Sequence, residues 1–146
     1  MQVLVVALAA AIAGCGSSKP AVTPKPMLRG ERVTTLTCPP HVTSSAATPT
    51  RILGVQRLLL CPLNEPGVSG RTVAISPRQP QFASLVAALS VPDEPSTTGA
   101  CPAYADIPQI VLAQTMHGLY EVSIPVDACH HYQRPVLEAL NRARAG

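Results

Sequence analysis

The residues best suited to chemistry stand together near the end of the chain, in the run Cys129-His130-His131. A cysteine thiolate beside imidazoles is a donor set that zinc and copper bind, and Cys101 could supply a second sulfur. Two features argue against such a site. Metal thiolates require reduced cysteines, and neighbouring histidines lack the i, i+4 spacing that places two ligands on one helix face. We interpret the run as a surface loop beside a disulfide and predict no metal ligand.

An alternative chemistry is acid–base catalysis in a small hydrolase, with His117, His130 or His131 acting beside Asp127. The carboxylates are few, and nothing in their spacing pairs them as acid and base. Four of the eight stand in a Pro-rich loop or near predicted strand ends: Asp93, Glu94, Asp106 and Asp127. We assign no catalytic residue and expect the protein to be non-catalytic.

The segment Gly67-Val68-Ser69-Gly70 places a serine between glycines. Its spacing differs from that of the Gly-x-Ser-x-Gly nucleophile elbow, and we interpret it as a loop between strands. The chain contains neither a Cys-x-x-Cys redox pair nor a phosphate-binding loop. No cofactor is therefore predicted.

The charge pattern gives little support to nucleic-acid binding. The formal net charge is +3, and the eleven basic residues are scattered and do not alternate with aromatic residues. A nucleic-acid partner would favour a basic cluster on one element or face. We predict no nucleic-acid partner.

The first fifteen residues indicate where the protein resides. Every residue from Val3 to Ala13 is apolar, which is too short for a helix across a hydrocarbon core of about 30 Å but suits a signal peptide. The run Ile12-Ala13-Gly14-Cys15 resembles the lipobox of bacterial lipoproteins. The resemblance implies removal of residues 1–14 and acylation of Cys15, which would anchor the protein on the extracytoplasmic face of the bacterial cell membrane. The alternative is a buried N-terminal helix with a chance cysteine.

The cysteine count agrees with export. Setting Cys15 aside leaves an even number of cysteines, which in an exported chain implies two disulfides. These four are Cys38, Cys61, Cys101 and Cys129. A chain with one Phe and no Trp builds a thin core, and each bridge would stabilise it by about 3 kcal/mol.

The composition divides the chain into three parts. After the signal peptide, residues 15–36 are predicted to be a lipid-anchored, disordered Pro-rich tether. Residues 37–146 are predicted to form one small α+β domain, an antiparallel sheet stapled by disulfides and covered by two helices, in the order (β)ββα-ββα. A first short strand is predicted at 29–37. The other predicted elements are strands at 51–61 and 71–76, a helix at 80–90, a hairpin of strands 107–115 and 119–126, and a helix at 135–145.

The predicted hairpin turns at His117-Gly118, because both residue types tolerate positive φ. Counting back, Thr115 would oppose Tyr120, and continued pairing would bring Cys129 opposite Asp106, a few residues from Cys101. This favours the bridges Cys101–Cys129 and Cys38–Cys61. Pairing that stops at Pro125, which cannot donate to a ladder, would leave the other two connectivities open.

The order of these features resembles a group of small exported proteins of high-G+C Gram-positive bacteria whose function is uncharacterised. The resemblance spans residues 38–129. It rests on Cys38-Pro39, Leu60-Cys61-Pro62, the helix Leu85–Leu89, Cys101-Pro102 and Cys129. It implies no activity. We therefore expect a membrane-anchored, non-catalytic binding module for an envelope protein or a small ligand, with a small envelope hydrolase or a purely structural lipoprotein as alternatives.

Overall fold

The computed structural model describes residues 26–35, 38, 49–62 and 71–146, and within them it confirms the α+β class. The leader, Cys15 and the segment 67–70 lie outside the described residues. Six antiparallel strands and two helices follow one another along the described chain. In order they are β1 (Leu28–Val33), β2 (Thr50–Ile52), β3 (Val55–Leu60), β4 (Val73–Ile75), α1 (Pro80–Leu89), β5 (Val111–Thr115), β6 (Gly118–Val122) and α2 (Arg134–Ala145).

Two differences from the sequence predictions change the architecture. Leu28 begins a paired strand and is buried, so the folded domain starts within the segment 15–36 that was predicted to be a disordered tether. The predicted strand 51–61 is divided into β2 and β3, because Gly54 adopts a positive φ of 64°. A bend at this position redirects the chain to another part of the sheet.

The sheet is strongly curled. Its strand order is β2-β1-β6-β5-β3-β4, so a flat sheet would hold β2 and β3 about 19 Å apart at about 4.8 Å per strand. Only Leu53 and Gly54 join the two strands, and the chain from Ile52 to Val55 reaches about 10 Å. The sheet must therefore curl until β2 and β3 approach each other, which leaves a concave inner face.

The sheet is buried on both faces around the end of β3, as the apolar run Leu58-Leu59-Leu60 predicts. Leu58 and Leu60 belong to the main core, which the two helices complete with residues such as Leu85 and Leu140. Leu59 belongs to a smaller cluster on the other face. Its remaining buried members are Cys61, Ile110 and Leu112, with Val33, Cys38 and Leu119 packed against them.

The helices form where their apolar spacing predicts. Pro80 occupies the first turn of α1, where its missing N–H removes no intrahelical bond. Helix α2 begins at Arg134, one residue before the predicted start. In its last turn Arg144 donates from Nη2 to the carbonyl oxygen of Cys61 at 3.4 Å, and burial lowers the pKa of this guanidinium. No helix within the described ranges has the length and apolar character needed to cross a bilayer.

The hairpin of β5 and β6 forms, but the predicted register is wrong. Thr115 pairs with Gly118 and Ala113 with Tyr120, so the turn residues are Met116 and His117. The Thr115 hydroxyl fixes this turn, because it accepts from His117 N at 3.0 Å and donates to the carbonyl oxygen of Gly118 at 3.1 Å. Positive φ falls on Gly118 and not on His117.

The two favoured disulfides, Cys38–Cys61 and Cys101–Cys129, are confirmed. The ladder that suggested the second bridge is absent from the described residues, since β6 ends at Val122 and the chain from Cys101 to Ile110 is irregular. Loop contacts bring this pair together instead. The two bridges indicate an oxidising, extracytoplasmic environment.

Candidate functional site

The predicted chemical residues gather in a loop cluster at the end of the β5–β6 hairpin opposite its turn. The cluster is built from three segments, residues 93–97, 101–109 and 125–133. The first runs along the third, because Glu94 N donates to the carbonyl oxygen of Val126 and Thr97 N to that of Ala128, both at 2.9 Å. The Cys101–Cys129 bridge joins the second segment to the third.

Asp93 and Glu94 are occupied in holding these loops. The Asp93 carboxylate accepts from Val126 N at 2.9 Å, and that of Glu94 accepts from Ala128 N at 3.2 Å. Such bonds satisfy backbone N–H groups that the irregular chain leaves without a ladder partner. They position the loops and place neither carboxylate as a general acid or base.

Asp127 organises a tight turn. Its Oδ1 accepts from the backbone N–H groups of Cys129 at 2.8 Å and His131 at 3.0 Å, while its own N–H donates to the His131 carbonyl oxygen at 2.7 Å. The turn holds His130 at a φ of 64°, the left-handed region. Asp127 therefore caps the backbone here and does not orient an imidazole, as the hydrolase alternative would require.

His131 is enclosed by contacts. Its Nδ1 lies 3.3 Å from Asp106 Oδ2 and its Nε2 lies 3.3 Å from the carbonyl oxygen of Pro102. Tyr104 stacks on the ring with centroids 4.0 Å apart. Asp106 Oδ2 also accepts from Tyr132 N at 2.7 Å. Each ring nitrogen therefore lies beside an oxygen of the loop 101–109, and one ring face lies against Tyr104. Through these contacts His131 holds that loop to the turn 127–131.

The other two histidines lie apart from this pair. The exposed His130 places its Nε2 3.3 Å from the Ser96 hydroxyl. A working nucleophile and base need a third group to orient the imidazole, and no such contact to His130 occurs among the described residues. His117 lies in the hairpin turn at the other end of the sheet, where its carbonyl oxygen accepts from Arg32 Nη2 at 3.1 Å. The three predicted histidines therefore do not converge.

The described residues hold no group of three or more His, Cys, Asp or Glu side chains that could bind a metal ion. Cys101 and Cys129 form a disulfide with each other, so neither offers a thiolate. The cluster instead has contacts that hold its three segments together: hydrogen-bonded backbone groups, a disulfide and a stacked ring. Sequence reasoning identified its histidines but missed the Asp106–His131 contact, because irregular segments carry no periodic signal.

Replacing Asp127 tests the structural interpretation of this cluster. Asp127→Ala leaves the N–H groups of Cys129 and His131 without their acceptor, so we expect the free energy of unfolding to fall by about 1–3 kcal/mol. Asp127→Asn keeps an acceptor oxygen and should lose less than about 1 kcal/mol. Urea unfolding at neutral pH measures both. Equal, negligible losses for the two variants would contradict the capping role.

A second feature is an apolar groove of about 400 Å³ beneath the bend between β2 and β3. Its walls come from Pro26–Leu28, from Ile52–Val55 around the bend, and from Phe82 and Val86 of α1. Every one of these residues is apolar. Leu53 projects at the mouth with 67% of its surface exposed. Sequence reasoning did not find this groove, since it depends on the curl of the sheet; Gly54 after Leu53 was the one available signal.

Comparison of this chain with known proteins found no match. No protein-family model matches it, and neither the curated proteins nor the solved structures include a significant match. The function has to be argued from the residues and their geometry.

Proposed function

We propose that the protein is a lipid-anchored, extracytoplasmic binding module without catalytic activity. The observation that carries this proposal is the cysteine count. Two bridges use four of the five cysteines, and the fifth is Cys15 of the lipobox-like run. An odd cysteine in an exported chain needs an explanation, and acylation provides one.

An anchor of two or three acyl chains would hold the domain durably, because each buried methylene contributes about 0.8 kcal/mol to membrane binding. The chain between Cys15 and Leu28 carries three prolines and two lysines and contains no long apolar run. Such a composition favours an extended tether that keeps the domain close to the bilayer while leaving its surface accessible.

Binding rather than catalysis is favoured by how the polar groups are used. The carboxylates of Asp106 and Asp127 and the ring of His131 are engaged in loop contacts. The apolar groove falls within the volume range of small-ligand sites, about 300–1,000 Å³. A stapled domain with such a groove suits a module that binds a ligand or an envelope partner near the membrane.

Metabolic labelling tests the anchor. Cells that express the wild-type chain are grown with an alkyne-bearing fatty acid, and the purified protein is examined for incorporated label after removal of free lipid. We expect strong labelling of the wild-type protein and complete loss in Cys15→Ser, because no other cysteine remains as an acceptor. Ser17→Ala, two residues away, is the matched control and should label normally. Label that persists in Cys15→Ser would exclude the anchor.

A further inference from the structure

We propose that the apolar groove binds the hydrocarbon chain of a single long-chain fatty acid. This inference rests on the proposed function, because it names the ligand of the binding module. The groove lies between the β2–β3 bend and α1, where Phe82 and Val86 face Ile52 and Val55 across it. The curl of the sheet and the β2–β3 bend together create it, so we expect it to be present before any ligand arrives.

The lining selects for hydrocarbon. None of the side chains around the groove carries a polar atom that could satisfy a sugar, nucleotide or peptide group. The exposed polar surface of the groove is small and comes from the backbone, so a polar ligand would replace few of the bonds to water that it loses there, whereas an aliphatic chain loses none. The volume of about 400 Å³ is at the lower end of small-ligand sites, which suits one chain better than a two-chain lipid.

The charged residues that adjoin the groove lining in sequence favour an anionic head group over a cationic one. Among the described residues that directly adjoin the lining in sequence, the charged ones are Arg29 and Arg51, both exposed. They are register partners across β1 and β2, and like charges directly opposite each other are unfavourable. Their side chains point to the other face of the strands from Leu28 and Ile52, so they act on a carboxylate at the rim through their charge and do not line the groove.

The groove also stands close to a supply of such ligands. Pro26, at its edge, is eleven residues from Cys15, a distance of about 35 Å at full extension. A domain held by an acylated Cys15 would stay within that distance of the bilayer, where long-chain fatty acids concentrate. This is why we favour a fatty acid over an apolar side chain of an envelope protein or the apolar segment Val3–Ala13 of this chain.

The test uses the full-length Cys15→Ser chain, oxidised and without acylation, titrated with the fluorescent fatty acid cis-parinaric acid. We expect saturable binding of one molecule per chain. Leu53→Glu, which places a carboxylate at the mouth, should weaken binding at least tenfold. Met116→Glu is the matched control, because Met116 is equally apolar and 74% exposed but lies in the hairpin turn; it should bind as the parent does. Both variants should retain the parent's thermal midpoint.

Three outcomes would overturn the proposal. Equal binding by the parent, Leu53→Glu and Met116→Glu would place the fatty acid elsewhere, for example on the apolar N-terminal segment that all three share. Absence of binding in the parent would mean that the groove is filled by this segment or serves a protein partner. If hexadecanol displaced cis-parinaric acid as effectively as palmitate, and if Arg51→Gln left this displacement unchanged, the preference for an anionic head group would be refuted. Because the chain used lacks an acylated Cys15, these outcomes are independent of the labelling result.

Discussion

Removing the Cys38–Cys61 bridge by the double substitution Cys38→Ala and Cys61→Ala is expected to lower the free energy of unfolding by about 3–4 kcal/mol. The bridge closes a loop with a sequence separation of 23 residues, for which the chain-entropy model gives a stabilisation of this size. Cys61 is also 1% exposed within the smaller apolar cluster, so its loss removes packing as well as the covalent link.

The bridge Cys101–Cys129, with a separation of 28 residues, provides the comparison. Its entropic contribution is similar, but Cys101 is exposed and contributes little packing, so we expect a slightly smaller loss from Cys101→Ala with Cys129→Ala. Removal of both bridges should cost about 7 kcal/mol, a large part of the about 5–15 kcal/mol that stabilises a typical domain. Urea unfolding without reductant measures the series. Losses below about 1 kcal/mol for either bridge would contradict a disulfide-stapled core.

Gly30→Ala is the second substitution for which we expect a large effect. A Cβ at this position would overlap the carbonyl oxygen of Glu121 on β6 and come within 2.9 Å of Ile52 Cδ1 on β2. The Glu121 carbonyl belongs to the backbone of a strand that pairs with β1, so it cannot move without disturbing the sheet, whereas the Ile52 side chain can rotate. We expect the free energy of unfolding to fall by about 3 kcal/mol, at the upper end of overpacking effects.

Two other glycines serve as controls for this effect. Gly54→Ala meets no atom within 4 Å but must adopt a positive φ, so we expect a loss of about 1 kcal/mol from backbone strain alone. Gly99→Ala, in an exposed loop, meets only the Thr97 hydroxyl at 3.2 Å and should change stability by less than about 0.5 kcal/mol. If Gly30→Ala were no more destabilising than Gly54→Ala, the close approach of β1 to β6 would be refuted.

The hairpin shows which features periodicity can predict. The turn lies one residue earlier than predicted, which changes each pairing partner by two residues: Thr115 meets Gly118 and not Tyr120. Since side chains alternate with a period of two, a shift of two leaves every residue on its predicted face. Val111, Ala113 and Val122 are therefore buried in the main core, and Tyr120 and Ile124 pack against it. The signal that was overlooked is Thr115, whose hydroxyl fixes the turn.

The curl of the sheet could not be predicted from the sequence. The segment from Ile52 to Leu60 reads as one continuous strand, and only the conformation of Gly54 divides it. Whether β2 pairs with β1 or continues beside β5 depends on contacts between residues far apart in sequence. The groove beneath the bend depends on the same contacts, and so it was also missed.

The loop cluster could be predicted only in part. The even cysteine count and the order of strands favoured Cys101–Cys129, although the extended ladder used to argue for it does not form. The bond between Asp106 and Tyr132 N, and the contact of Asp106 with His131, join residues in irregular segments. Such contacts are set by tertiary packing and leave no spacing pattern in the sequence.

The proposal that the protein is an acylated, disulfide-stapled module is tested most directly by the intact mass of the protein extracted from the envelope without reductant. We predict a chain that begins at Cys15 and carries acyl chains on that residue. Its mass should be four hydrogens below that of the reduced form because of its two disulfides. An unacylated chain that retains residues 1–14 and has the mass of the fully reduced form would contradict both the lipid anchor and the disulfides.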